Sequence, residues 1–571
     1  MLDAPPDLLP PQVDDEVVPS GFRPAPRPPT TSLAVLATTA SLAACGGGSS
    51  SSASPPPPTL QSITDQQASR FLAQASMGAT RDHINRVQTL GYSAWLDEQF
   101  ALPQQGARWD WLLAAGYGID TNKNTQAGFD PAMWRKLVSS SDTLRQRVTL
   151  ALSEILVVSI DGIAGGGWKA FAATGYADML EANAFGTYRN LLQQVSTSPA
   201  MGTYLTFRGN VKANAAKGSL PDENYARELM QLFTLGLYEL NLDGSLKLSA
   251  GVPKETYVQD DVSGLARVFT GWDFDTGTSD VGHPQEYQRV PMRQVPSRHE
   301  RGAKSFLGTT IAANTDGVVS LQLALDAIYA HANMAPFISR QLIQRLVTSN
   351  PSAAYIGRVA GVFNSNGAGV KGDLKAVLKA VLLDDEARGD THLTDPEFGK
   401  LREPMLRFLA WSRSFNASSP SDAWAIPNTT DPGTRLGQSP GRSPSVFNFF
   451  RPGYVPPNSD IGTHALVAPE FQITNESSVV GYVNYMQRAV STGIGDVKAD
   501  YSALLPLVTD SQALLDELNL LLAVGQLSAA TLAPLKAALD SINASTDAGK
   551  NNRLYAALTL VLAAPEFITQ K

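Results

Sequence analysis

The chain reads as mainly α: a large multi-helix domain with long irregular loops, one small β-hairpin and a helical C-terminal region. Three observations predict this. Apolar residues recur at three- and four-residue spacing through most of the chain from Leu60 onward. Strand-like alternation is confined to one short stretch, and neither a βαβ pattern nor a fixed-period repeat is present. A composition of 43% hydrophobic and 17% charged residues belongs to a globular protein. The formal charge of −8 and the scarcity of Lys/Arg runs argue against a nucleic-acid partner.

The N-terminus is of a different kind. "SLAVLATTASLAACGGGSS" holds an apolar run, Leu33 to Ala44, that is too short to span a bilayer but suits a signal peptide. Leu42-Ala43-Ala44-Cys45 resembles the bacterial lipobox, whose thiol takes a diacylglycerol and becomes the mature N-terminus. Residues 1–45 are therefore expected to be a signal peptide with lipobox, and Cys45 the lipidated residue. Met1 to Thr31 is proline-rich, with five acids against Arg23 and Arg27. A translation start near Val17 or Val18 would explain this composition, because a signal peptide beginning there looks ordinary. Cys45 is also the only cysteine, which excludes an intrachain disulfide framework and a Cys-based zinc cluster. The expected location is outside the cytoplasm, lipid-anchored to the cell envelope (periplasm or outer membrane). Residues 46–60, Gly/Ser-rich and then polyproline, form a tether reaching roughly 20–40 Å.

A helical core domain is expected over 61–415. "TRDHINRVQTLG" puts Ile84, Val87 and Leu90 on one face between an N-cap Thr80 and a C-cap Gly91. "DTLRQRVTLALSEILVVS" does the same with Leu144, Val148, Leu152 and Ile155. "YELNLDGSLKLS" alternates leucines around Asp243-Gly244 and predicts a β-hairpin at about 240–248. Further helices are expected at 335–347, 372–383 and 402–411. An irregular Pro/Ser/Asn-rich segment (416–465) and a C-terminal helical region (466–571) packed on the core complete the order. Asp273 to Gly302 is a second long irregular segment, and loops of this length in a helical domain are usually functional.

Two motif matches fail in context. Gly437-Gln438-Ser439-Pro440-Gly441 fits G-x-S-x-G, but Pro440 has no N–H to give an oxyanion and no strand precedes it. Gly367 to Gly372 fits G-x-G-x-x-G after a helical pattern rather than a strand, so no nucleotide is expected.

The densest polar pattern is "PDENYARELMQLFTLG". On a helical wheel at about 100° per residue, Glu223, Asn224, Arg227 and Glu228 share one side, with only Leu235 intruding. Ser219-x-x-Asp222 is the expected cap, Glu223–Arg227 an i,i+4 ion pair and Asn224–Glu228 an i,i+4 hydrogen bond. Periodicity by itself predicts an ordinary amphipathic helix.

"ENYARELMQLFTLG", "YVQDDVSGLARVFTGWDFD" and "HERGAKSFLG" resemble, in this order, signature blocks of the bacterial family catalogued as domain of unknown function 1800. "RFLAQASMGATRDHINRVQTLGYSAWLDEQF", "SPAMGTYLTFRGN", "KLREPMLRFLAW", "LGQSPGRSPSVFNFFRPGYVPPNS" and "AALTLVLAAPEF" extend the resemblance to about residues 65–568. It implies a mainly helical, exported family without an assigned activity, and a partner from a second exported uncharacterised family. Three departures stand out: the inserted hairpin, Val258 in place of a capping threonine (with Thr256 and Gln259 as a substitute cap), and Glu300 after His299 where aspartate is more typical.

Two functions follow as alternatives. In the first, the blocks build a hydrolase-like acidic/His/Arg cleft acting outside the cytoplasm. Glu228, His299 and Asp261 would exchange protons, while Glu223, Asn224, Arg227, Arg267, Trp272 and Lys304 would bind substrate. A variant has His299 with Glu228 or Asp261 holding a divalent metal, although no paired-histidine spacing supports it. In the second, a cell-surface binding or scaffold protein, Arg227, Arg267 and Lys304 neutralise Glu223, Glu228, Asp260 and Asp261 in a structural ion-pair network. His83 is expected on a solvent face.

Overall fold

A computed structural model describes residues 62–571. Cys45, its lipobox and the tether lie outside the described residues. About half of the protein is helical, and its strands form only small two-stranded antiparallel sheets among the described residues. The described residues make one compact unit.

Local capping fixes the first helices where the sequence predicts them. Asp65–Ala75 begins at a Thr64/Gln67 capping box, and Arg81–Leu90 runs from the Thr80 cap to Gly91, whose φ of 78° suits glycine. His83 sits on that second helix half-buried rather than fully on solvent. The helix Thr143–Ile155 departs from its expected amphipathic form. Leu144, Val148, Leu152 and Ile155 are buried, but so are Arg145, Gln146, Arg147 and Glu154 on the other side. The helix threads the middle of the fold, so its polar side chains must find partners inside.

The C-terminal residues are tied into the body at two places. Lys400-Leu401 pairs with Thr569-Gln570, and Arg70 donates to the Lys571 carbonyl. The C-terminal helix Asp547–Ala563 packs against both Glu476–Thr492 and Ser511–Ala523, and Ser511–Ala523 reaches Asp65–Ala75. Arg413, buried on the helix Pro404–Ser414, donates to the carbonyls of Leu137, Val138 and Ser140. It thereby satisfies the bare C-terminus of the helix Phe129–Ser139.

Three local expectations need correction. The polar helix spans Asn224–Gln231 and starts later than its expected cap, because Asp222 accepts from the Asn224 amide at 2.8 Å. Leu235 is fully buried past its end and is no part of the polar face. The hairpin is longer than 240–248: Leu240 pairs with Leu246, then a second turn returns the chain so that Leu248 meets Pro253 and Tyr238 meets Glu255. The segment 416–465 is irregular, apart from the short helix Asp460–Thr463.

Candidate functional site

The helices Asn224–Gln231 and Gln259–Ala266, from the first two signature blocks, lie side by side. Glu223 clasps them: its carboxylate accepts from Ser263 Oγ at 2.6 Å and from Gln259 Nε2 at 2.7 Å. Arg227 closes the ring, reaching Gln259 Oε1 at 2.9 Å and Glu223 at 3.4 Å. Asn224 is exposed and touches Thr206 only at 3.5 Å. These polar groups sit at the surface, where the Glu223–Arg227 pair is worth little in energy and serves mainly as a positional latch.

Glu228 differs from them. It is half-buried, and its Oε2 is buried without a hydrogen-bond partner. Burial pushes its carboxyl up to about 7 against an ordinary 4.5, with Arg227 pulling the other way. Two phenols feel its charge: Tyr204, at the end of the helix Pro199–Tyr204, and Tyr257. Burial raises both to about 12. A carboxyl poised near neutrality with a spare oxygen and neutral phenols beside it is equipped to give or take a proton.

The other expected site residues contact neighbouring groups of the fold, Arg267 from an exposed position. Asp261 accepts from the Val258 amide at 2.9 Å and from the Leu307 amide at 2.7 Å. One carboxylate thus starts a helix and pins the turn between the strands Lys304–Phe306 and Thr309–Ile311; Asp261 caps the helix in place of the expected Thr256 and Gln259. Arg267 reaches the Ala303 carbonyl at 3.2 Å. Trp272 is only 3% exposed and its indole N–H points at the Val268 carbonyl, so it has no free face for stacking.

His299 is 1% exposed. Thr270 Oγ1 donates to the Arg267 carbonyl and accepts from the Glu300 amide. The His299 Nδ1 proton therefore goes to the Thr270 carbonyl at 3.0 Å, which leaves Nε2 as a buried acceptor without a partner. Burial first, and the charge of Lys304 in addition, hold the imidazole below its usual value. Lys304 is fully buried with one weak contact, to the Gly302 carbonyl at 3.4 Å, and burial lowers it too. Of the expected network joining the three blocks, only Arg227–Glu223 is an ion pair.

The main buried charge cluster lies elsewhere. Lys400 contacts Glu470 at 2.9 Å and Glu403 at 3.6 Å, and Arg345 contacts Glu154 at 3.1 Å. Arg147 donates to the Arg345 carbonyl at 2.5 Å, and Gln438 donates to Glu403 at 2.8 Å. Burial and the neighbouring Glu403 charge push the Glu154 carboxyl far up, so it is the protonated member of the pair. Against this cluster sits a cavity of about 10 Å³, lined by Glu154, Ser439, Ser443, Asn448 and Phe449 among others. Ser439 Oγ and Asn448 Nδ2 are buried without partners. Space for about one water faces these two unsatisfied polar atoms. Ser443 also lies beside the Tyr204 phenol and lowers it, which links this cavity to the surroundings of Glu228.

The sequence reading missed these residues because they come from five separated segments, each with an unremarkable local pattern.

Among the described residues no group of three or more His, Cys, Asp or Glu is arranged to hold a metal ion. No helix among them is long and apolar enough to cross a membrane. The family described as "Protein of unknown function (DUF1800)" matches residues 70–569, and the chain belongs to it. No curated protein and no solved structure matches.

Proposed function

We propose that this member of the DUF1800 family is an exported, lipid-anchored enzyme that acts outside the cytoplasm by acid–base chemistry centred on Glu228. The observation that carries the reading is the state of that carboxyl: half-buried, with one oxygen unbonded, held at about 7 beside two neutral phenols. At neutral pH such a group is present in both protonation states and can accept a proton from a substrate hydroxyl or water. Tyr204 and Tyr257 are donors for an anion forming next to it, while Arg227 stands by as fixed positive charge. Asp261 and His299 hold neighbouring segments together through backbone contacts rather than reacting. The chemistry supported is hydrolysis or a related transfer on an extracytoplasmic polymer or small ester.

A carbodiimide tests this without a known substrate, because it modifies carboxyls that stay protonated in apolar surroundings. Glu228 should label selectively at pH 6–7 and much less at pH 9. In a screen of envelope polymers and small esters, Glu228→Gln should abolish turnover while the fold is kept. Unselective labelling, or turnover retained by the variant, would sink the proposal.

A second reading, a non-catalytic surface or scaffold protein, is favoured by one observation. Glu223, Asp261, Arg267 and His299 all make contacts that hold elements together. Under that reading Glu228→Gln changes no activity.

A further inference from the structure

Exposed apolar side chains are concentrated in one place. Of nineteen large hydrophobic residues exposed among the described residues, six (Leu237, Leu242, Leu246, Leu248, Val252 and Val258) lie within 237–258. Single exposed leucines need no explanation, but a cluster rimmed by polar residues marks a surface that meets something.

The geometry of the hairpin tip says what kind of surface. Leu248 pairs with Pro253 and Ser249 with Val252, so Leu248 and Val252 point to opposite faces of the ribbon. They are nonetheless 61% and 64% exposed. A flat protein partner covers one face of a ribbon and leaves the other wet, whereas immersion in a lipid interface covers both. Leu248 to Pro253 carries no charge. At roughly 3.3 Å per residue, the two residues on each side of the Ala250-Gly251 turn reach about 7 Å, within the depth at which interfacial elements sit. The tip is bracketed by Lys247 and Lys254, whose ammonium groups converge on Glu239 at 3.4 and 2.6 Å. Lysines placed behind an apolar tip extend to phosphate headgroups while their stems remain in apolar surroundings.

We infer that the tip Leu248–Pro253 inserts into the interfacial layer of a phospholipid bilayer and orients the body against the membrane. The inference rests on the envelope location proposed above.

The test uses the full chain carrying Cys45→Ser, so that no lipid is attached. Because Cys45 is the only cysteine, adding Ala250→Cys supplies a single thiol at the tip for an environment-sensitive dye. With vesicles of phosphatidylethanolamine and phosphatidylglycerol, the dye should shift to the blue and the protein should float with the vesicles. Leu248→Glu with Val252→Glu should cut the floated fraction at least tenfold and abolish the shift, with an unchanged melting temperature because both side chains are exposed. The apolar run at 33–44 is common to both proteins, so only their difference bears on the hairpin. Equal flotation of the two proteins, or a dye that stays in water, would overturn the inference. So would a dye shift produced by a soluble envelope protein and not by vesicles. Failure of Cys45 acylation alone is read separately, by fatty-acid labelling, and leaves the vesicle result standing.

Discussion

The ammonium of Lys400 lies 2.9 Å from a carboxylate oxygen of Glu470, with both side chains out of contact with water. Lys400 also faces Glu403 and donates to the Arg345 carbonyl at 3.1 Å. Removing one partner of such a buried pair strands the other, at a cost of about 3–5 kcal/mol. Lys400→Met should therefore lower the unfolding free energy in urea by about that amount, and Lys400→Met with Glu470→Gln should recover much of it. A loss under about 1 kcal/mol for the single variant would show that the cluster is not load-sharing.

Glu228 makes a pH prediction with a definite sign. Its carboxyl is raised from 4.5 to about 7 in the fold, so the protonated form is favoured there. Its stabilising contribution is whole below about 4.5 and is lost as the pH rises to about 7. Glu228→Gln cannot ionise. The melting temperature of the parent should fall relative to the variant across that window and then run parallel above it. Parallel curves at every pH would mean that the carboxyl is not perturbed.

Gly264 and Gly361 both lie in helices, yet alanine should act oppositely at the two. A methyl at Gly264 would fall 1.7 Å from the Ser305 carbonyl oxygen, whereas at Gly361 nothing lies within 4 Å. Gly361→Ala should gain up to about 1 kcal/mol from helix propensity. Gly264→Ala should lose about 1–3 kcal/mol or more, because it forces the strand Lys304–Phe306 away from the helix Gln259–Ala266. Thermal denaturation of the two variants decides; stabilisation by Gly264→Ala would mean that this contact is not as drawn.

The proposed anchor is checked directly. Cells fed a clickable fatty acid should label the parent protein and leave Cys45→Ala unlabelled. Equal incorporation into both would refute lipidation at Cys45.

Much of the fold was legible because helices are encoded locally. Thr80, Gly91 and the Ile84/Val87 spacing specify a helix whatever surrounds it, and Asp243-Gly244 specifies a turn. The family is likewise carried by linear blocks. The sequence also singled out the helix of Glu223, Arg227 and Glu228, since its polar face is periodic.

What these side chains face was decided only by the tertiary structure. Glu223 and Glu228 stand five residues apart on the same polar side, yet Glu223 is saturated by Ser263 and Gln259 while Glu228 keeps a bare buried oxygen. That difference comes from which neighbours arrive from the Gln259–Ala266 helix and from Tyr204 and Tyr257. His299 and Asp261 look reactive in sequence and are engaged by backbone groups of Thr270, Val258 and Leu307. The cluster of Arg147, Glu154, Arg345, Lys400, Glu403 and Glu470 exists only once distant segments meet, because desolvation and charge pairing depend on distance in space and not along the chain.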